Sequence, residues 1–239
     1  MAGPPAISHG DRLTVVMPES SEVCTSTLVK LNSQGHQSRT GRCLGPTTVA
    51  FVGFSQAELQ SFRNASVPDL VGPGLKLLFV GINPGLWTAA TQTHFAHPGN
   101  RFYPSLRLAG IVDRDLGRGE PMTEENRAYL IKCGIGITNL VNRATARAGE
   151  LAPAELRAGR TRLEDFVAQH HPAVVAIAGI TAYRQAFTAP KAKEGEQAEL
   201  ATGARVWVVP NPSGLNAHET IASLAQAYAE PARVAGVIR

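Results

Sequence analysis

From Leu75 to the end of the chain, short apolar runs alternate with longer stretches in which apolar residues recur every three or four positions. The runs at 77–80, 135–138, 174–178 and 206–209 are brief, apolar and rich in β-branched residues, so each reads as a buried strand. The intervening periodicity predicts helices over 100–109, 123–132, 153–170 and 181–187, with a last one over 219–229. In the third of these, Pro153 suits the first turn, and Leu156, Leu163, Phe166 and Val167 share one face among charged positions. Asn216 followed by Glu219 has the spacing of a capping box for the last helix. Strands this far apart need crossover connections. The economical fold is therefore α/β: a three-layer α/β/α arrangement around a central, mainly parallel four-stranded sheet.

Upstream the pattern is different. The first fifty or so residues scatter Ser, Thr, Gly and Pro without a sustained period, which predicts an irregular extension over 1–54 with at most a short strand at 48–51. Ser55 is placed to cap a short helix running toward Asn64, and the turn-rich 67–74 leads into the first strand. Residues 55–239 are expected to form a single domain. No internal repeat is visible.

Composition narrows the class without identifying it. A hydrophobic share of 44% against 18% charged, with no apolar run of bilayer length, fits a globular chain with no membrane span. The first residues lack a basic start and a continuous apolar segment, so a cytoplasmic location is expected. Three widely spaced cysteines, Cys24, Cys43 and Cys133, suit neither a disulfide framework nor a Cys-rich metal site. The net charge of +4 favours an anionic partner, but there is no Lys/Arg tail.

Candidate chemistry sits in the loops that should follow the strands, because open parallel sheets bind ligands at the carboxyl ends of their strands. Two such loops contain Asn-Pro: Asn83-Pro84-Gly85 and Asn211-Pro212-Ser213-Gly214. Asn and Pro are also ordinary turn formers, so an isolated pair of this kind reads as a turn. There is no Gly-x-Gly-x-x-Gly after the first strand, no P-loop, no Gly-x-Ser-x-Gly elbow and no His-Glu-x-x-His. Dinucleotide, nucleoside triphosphate, serine hydrolase and zinc peptidase chemistry therefore lack support. Between the loops, Phe95 offers a flat apolar surface and Asn100 and Arg101 offer donors, which is what a planar heterocycle needs; a core role for Phe95 is the plainer alternative.

Four segments taken together carry a resemblance. GINPG at 81–85, FAHPGNRFY at 95–103, GITNLVNRAT at 136–145 and NPSGL at 211–215 stand in an order and spacing similar to the mismatch-specific uracil-DNA glycosylases, the bacterial branch of the family that also holds the thymine-DNA glycosylases. The similarity runs from about Pro68 to the last helix. It implies a uracil-DNA glycosylase-like fold and hydrolysis of the N-glycosidic bond of uracil in mismatched double-stranded DNA, with ethenocytosine or other modified pyrimidines as further substrates. An abasic site would remain.

By the same resemblance Asn83 is the catalytic residue. An amide is no general base near neutral pH, so its part is to orient a water. Phe95 would stack on the extruded base, and main-chain amides near Ile82 and Phe95 would stabilise the departing anion. Thr88 would lie beside the 5-position of the pyrimidine. Asn211 and Ser213 would sit near the sugar and its phosphates, Leu215 would fill the gap left in the duplex, and Gly214 with Asn216 would face the opposite strand. A monomer without metal or other cofactor is implied. No lysine is placed by any motif to attack the sugar, so no strand cleavage is expected.

The chain departs from this pattern after Leu215, where Asn216-Ala217-His218 replaces the Ser-Arg pair of bacterial relatives, which puts recognition of the opposite guanine in question. Asn216 is also simply a helix cap candidate. Trp87 beside the first loop is unusual: it would narrow the pocket mouth, stack on DNA or belong to the core. Asp69, His94 and His97 are the other groups near enough in sequence to act on the water, ranked behind Asn83. The rival readings are a non-catalytic protein that binds mismatched or abasic DNA and an enzyme acting on free nucleosides.

Overall fold

The computed structural model describes residues 53–239; residues 1–52 of the expected extension, with the short strand expected at 48–51, lie outside the described residues. Ser55 caps α1 (Gln56–Ser61) in a capping box with Glu58. The chain then enters β1 (Leu77–Gly81), α2 (Leu86–Thr91), α3 (Phe102–Leu108), α4 (Glu124–Lys132) and β2 (Ile135–Asn139). A single turn of 3₁₀ helix at Ala148–Glu150 precedes α5 (Pro153–His170), β3 (Val174–Ala178) and α6 (Ile180–Ala186). The strands β4 (Gly195–Gln197) and β5 (Arg205–Val209) lead to α7 (Ile221–Val234).

The sheet runs β2-β1-β3-β5-β4. The first four of these strands are parallel, in registers such as Phe79 opposite Ile137 and Leu77 opposite Val174. The sheet has five strands, where four were expected. The additional one is β4, which pairs antiparallel with β5 at the edge. Its sequence, Gly-Glu-Gln, carries no apolar period, so only the neighbouring strand makes it a strand.

Successive residues of β1 point to opposite faces and feed two cores. Leu77 and Phe79 join Phe102, Leu106, Leu130, Leu224 and Tyr228 from α3, α4 and α7. Leu78 and Val80 join Leu156, Leu163, Val167 and Ala182 from α5 and α6. A sheet covered on both faces explains why its strands are apolar throughout.

Two local expectations shift. α2 begins right after Pro84-Gly85, with Gly85 as its N-cap, although no helix was expected there. α7 starts at Ile221, capped by Thr220 and Ser223, so the capping box is not the one at Asn216 and Glu219. Phe95 adopts φ of +56°, a left-handed backbone rare for a bulky residue. Among the described residues no helix is long and apolar enough to cross a membrane.

Candidate active site

Chain order reverses direction across the sheet at β1, since β2 lies on one side of it and β3 on the other. Such a switch point opens a crevice at the carboxyl ends of the strands. A cleft of about 820 Å³ lies there. It is lined from β1 and its loop by Gly81, Ile82 and Asn83, from β2 by Asn139, from β3 by Ala178, and by Asn211 and Ser213 beyond β5. Thr88 on α2 and Phe95 and Asn100 on the following loop contribute a second wall, and Gly214, Leu215 and Asn216 form the lip. The residues to which the resemblance gave a role, from Ile82 and Asn83 to Leu215 and Asn216, therefore border one cavity.

The amide of Asn83 is fixed by its donors. Nδ2 lies 2.9 Å from the Arg143 carbonyl oxygen, 2.8 Å from Thr145 Oγ1 and 3.1 Å from the Pro84 carbonyl oxygen. Two of these partners are carbonyls, which only accept, so the NH₂ end must face them. Thr145 in turn spends its hydroxyl proton on the Arg147 carbonyl, 2.9 Å away, and so accepts from Asn83. Asn83 Oδ1 accepts no hydrogen bond among the described residues, which leaves an acceptor of fixed direction in the cleft wall. The loop is held in place as well: the Thr145 N–H donates to the Pro84 carbonyl, and Gly85 bridges to Thr145. Arg143, whose carbonyl receives Asn83, is anchored by a two-pronged pair with Glu155 at 2.8 and 3.1 Å and by Asn64 Oδ1. The hydrogen bonds from Arg143 hold the Glu155 carboxyl below its ordinary range.

Asn139 supplies a second oriented amide. Behind it His94 is buried, with Nε2 2.9 Å from the Pro68 carbonyl oxygen. That carbonyl needs a donor, so the neutral ring carries its proton on Nε2 and offers Nδ1 to Asn139 Nδ2 at 3.3 Å. Burial lowers the His94 pKa below the ordinary histidine value, which keeps this form at neutral pH. The Asn139 oxygen then turns toward Gly81, where a Cβ would stand only 2.5 Å from it and 3.3 Å from the tip of the Phe95 ring. Glycine at 81 is what lets Asn139 and Phe95 meet over the strand end. One side of the Phe95 ring stacks on Phe102 at 4.1 Å between centroids.

The second loop ties itself together. The Ser213 N–H donates to Asn211 Oδ1 at 2.9 Å, Asn216 Nδ2 to the Asn211 carbonyl at 3.1 Å, and the Asn216 N–H to the Ser213 carbonyl. Asn216 thus braces the loop instead of capping α7. Leu215 is 88% exposed, a large apolar side chain presented to solvent. Asn100 uses Oδ1 to accept from the Phe102 N–H at the start of α3.

The remaining candidates are dispersed. Asp69 accepts from Thr138 Oγ1 at 2.6 Å, pairs with Arg162 and does not border the cleft. His94 is screened from the cleft by Asn139, whereas His97 stands on its wall with Nδ1 accepting from the Gly99 N–H. Trp87 donates to the Gly119 carbonyl and packs edge-on against Phe54 and His97, and it too lies off the cleft lining. Arg101, read from sequence as a donor to a ligand, directs its guanidinium to the second loop instead. Sequence reasoning missed Asn139 and Thr145. Both fall inside the GITNLVNRAT segment, but nothing in their spacing announced an amide reader or an amide support. Among the described residues no cluster of three His, Cys, Asp or Glu side chains is arranged to hold a metal ion.

The model of the uracil DNA glycosylase superfamily matches residues 68–230. A solution NMR structure from Methanosarcina acetivorans, of a protein described as a candidate uracil DNA glycosylase, is similar with a TM-score of 0.49 and 16% identity, covering 71% of this chain and 96% of that one.

Proposed function

The chain belongs to the uracil DNA glycosylase superfamily, and from that premise we propose that it is a monofunctional glycosylase which removes uracil, and ethenocytosine or other modified pyrimidines, from mismatched double-stranded DNA. The observation that carries this reading is the saturated NH₂ of Asn83, which leaves Oδ1 as an acceptor of fixed direction beside a cavity large enough for a nucleotide.

The target nucleotide must first leave the stack, at a cost of a few kcal/mol that is lowest where pairing is weak. Its base then enters against the Phe95 ring, within reach of the Asn139 carboxamide. Asn83 Oδ1 accepts one proton of a water and so aims that water's lone pair at the anomeric carbon. The C1′–N1 bond breaks with its electron pair retained by the pyrimidine, and the water oxygen forms the new bond to C1′. The water's proton is released, and the departing base is protonated from solvent. Asn83 takes no proton at any step, so the barrier must fall mainly through stabilisation of the pyrimidine anion. We assign this to the main-chain N–H groups of Ile82 and Phe95, donors held in place before the reaction begins. Asn211 and Ser213 are assigned to the sugar and phosphates, and Leu215 to the gap in the duplex, where apolar wedges act on base steps.

The test is the release of uracil from a G·U duplex, read as alkali-labile sites. Wild-type protein is expected to produce them and Asn83→Ala to lose them while still binding the duplex. Binding without any alkali-labile site in the wild type would make the chain a mismatch-binding protein, and release from free deoxyuridine alone would make it a nucleoside hydrolase.

A further inference from the structure

We propose that Arg101 is the positioning residue for the Leu215 tip: it holds the second loop from beneath, in the pose that presents the apolar side chain to a duplex. This rests on the glycosylase reading above. The loop from Pro212 to Glu219 meets Arg101 at four main-chain carbonyls. The Arg101 N–H donates to Pro212 at 3.0 Å, Nη1 donates to Asn216 at 3.0 Å and to Glu219, and Nη2 donates to Gly214 at 3.3 Å. No carboxylate pairs with this guanidinium among the described residues. Its donors are spent on backbone, where a fork of fixed geometry can set the direction of several carbonyls at once.

Two further contacts point the same way. A Cβ on Gly214 would stand 2.6 Å from the Gly99 carbonyl oxygen, so the second loop rests backbone to backbone on the loop that carries Arg101. Above this seat Leu215 is 88% exposed, and its N–H donates to Ser213 Oγ at 3.3 Å. An exposed leucine on an unsupported loop would have to be ordered when the duplex arrives, at a cost in backbone conformational entropy. Arg101 removes that cost beforehand. The residue that should set wedge efficiency therefore lies far from the loop in sequence.

Arg101 borders neither Asn83 nor the base cavity, so its loss should impair extrusion and spare chemistry. Single-turnover release of uracil by Arg101→Gln is expected to fall about tenfold or more on a G·U duplex while staying within about twofold of wild type on single-stranded DNA, where nothing need be displaced from a stack. Arg101→Lys, a point charge without the fork, should recover part of the duplex rate. Equal losses on both substrates, or no loss on either, would overturn the proposal. A second readout does not depend on chemistry: 2-aminopurine beside the uracil brightens when an Asn83→Ala protein extrudes the base, and adding Arg101→Gln should quench most of that gain. If Arg101→Gln fails to fold, Gly214→Ala in the Asn83→Ala background keeps Arg101 and lifts the loop off Gly99; an undiminished fluorescence gain there refutes the idea. A wild type that releases no uracil sinks the proposed activity, and the fluorescence arm still decides the role of Arg101; absence of any extrusion signal sinks both.

Discussion

The two Asn-Pro loops that frame the cleft look alike in sequence and are held in opposite ways. At the end of β1, Asn83 is half-buried and its donors are consumed by the 143–145 segment and by the Pro84 carbonyl, so the side chain itself is what the fold immobilises. After β5, the immobilised part is main chain, clamped by Arg101 and by the side chains of Asn211 and Asn216, while the functional tip at Leu215 stays exposed. The difference follows from the task proposed for each. Steering a water requires an acceptor fixed within a fraction of an ångström, whereas filling a gap in a duplex requires an apolar group free to leave solvent on a stalk that does not move.

Substitutions in each loop break the comparison in different places. The largest effect is expected at Asn83→Ala, a loss of at least about 10²-fold in the single-turnover rate, the scale of a misplaced reactant, with duplex affinity retained. Comparable loss of affinity would mean that Asn83 holds the fold or the ligand instead of the water. Next is Leu215→Ala, expected to slow release from a duplex by about tenfold, since burial of a leucine contributes at least ~1.5 kcal/mol, and to leave single-stranded uracil unaffected. Thr145→Val keeps the shape but removes the acceptor for Asn83 Nδ2; a net hydrogen bond of ~1 kcal/mol predicts about fivefold slower release on duplex and single strand alike. A duplex-only effect there would undo the distinction between the loops. The smallest change concerns the opposite strand. The Gly214 and Asn216 carbonyls already accept from Arg101, so they are poorly placed to accept from a guanine's 2-amino group. Replacing guanine by inosine opposite uracil removes that group and leaves the wobble pair intact, and the measured rates should agree within about twofold.

The buried His94 adds a pH dependence to the first region. Its pKa is depressed in the fold, so on acidification the unfolded chain takes up the proton first, below the ordinary value of about 6.5. Stability should therefore fall as pH drops from 7 toward 5. His94→Asn should flatten the slope of Tm against pH over that interval.

Much of this molecule was legible in the sequence, because much of it is local. An apolar run such as Leu77 to Val80 has to be buried on both faces of a sheet, and the periodicity from Pro153 to His170 has to be a helix lying against it. The two Asn-Pro loops could be placed at strand ends for the same reason. Tertiary structure decided what no window of sequence contains. The β4 strand exists only because β5 offers a free edge, and the cap of α7 went to Thr220 because Asn216 found the Asn211 carbonyl within reach. The direction of the Asn83 oxygen is set by Arg143 and Thr145, and that of Asn139 by a histidine whose tautomer depends on Pro68. An amide presents donor and acceptor almost symmetrically, so its composition says that it can orient a ligand; only its partners, brought from distant parts of the chain, determine which end faces the cleft.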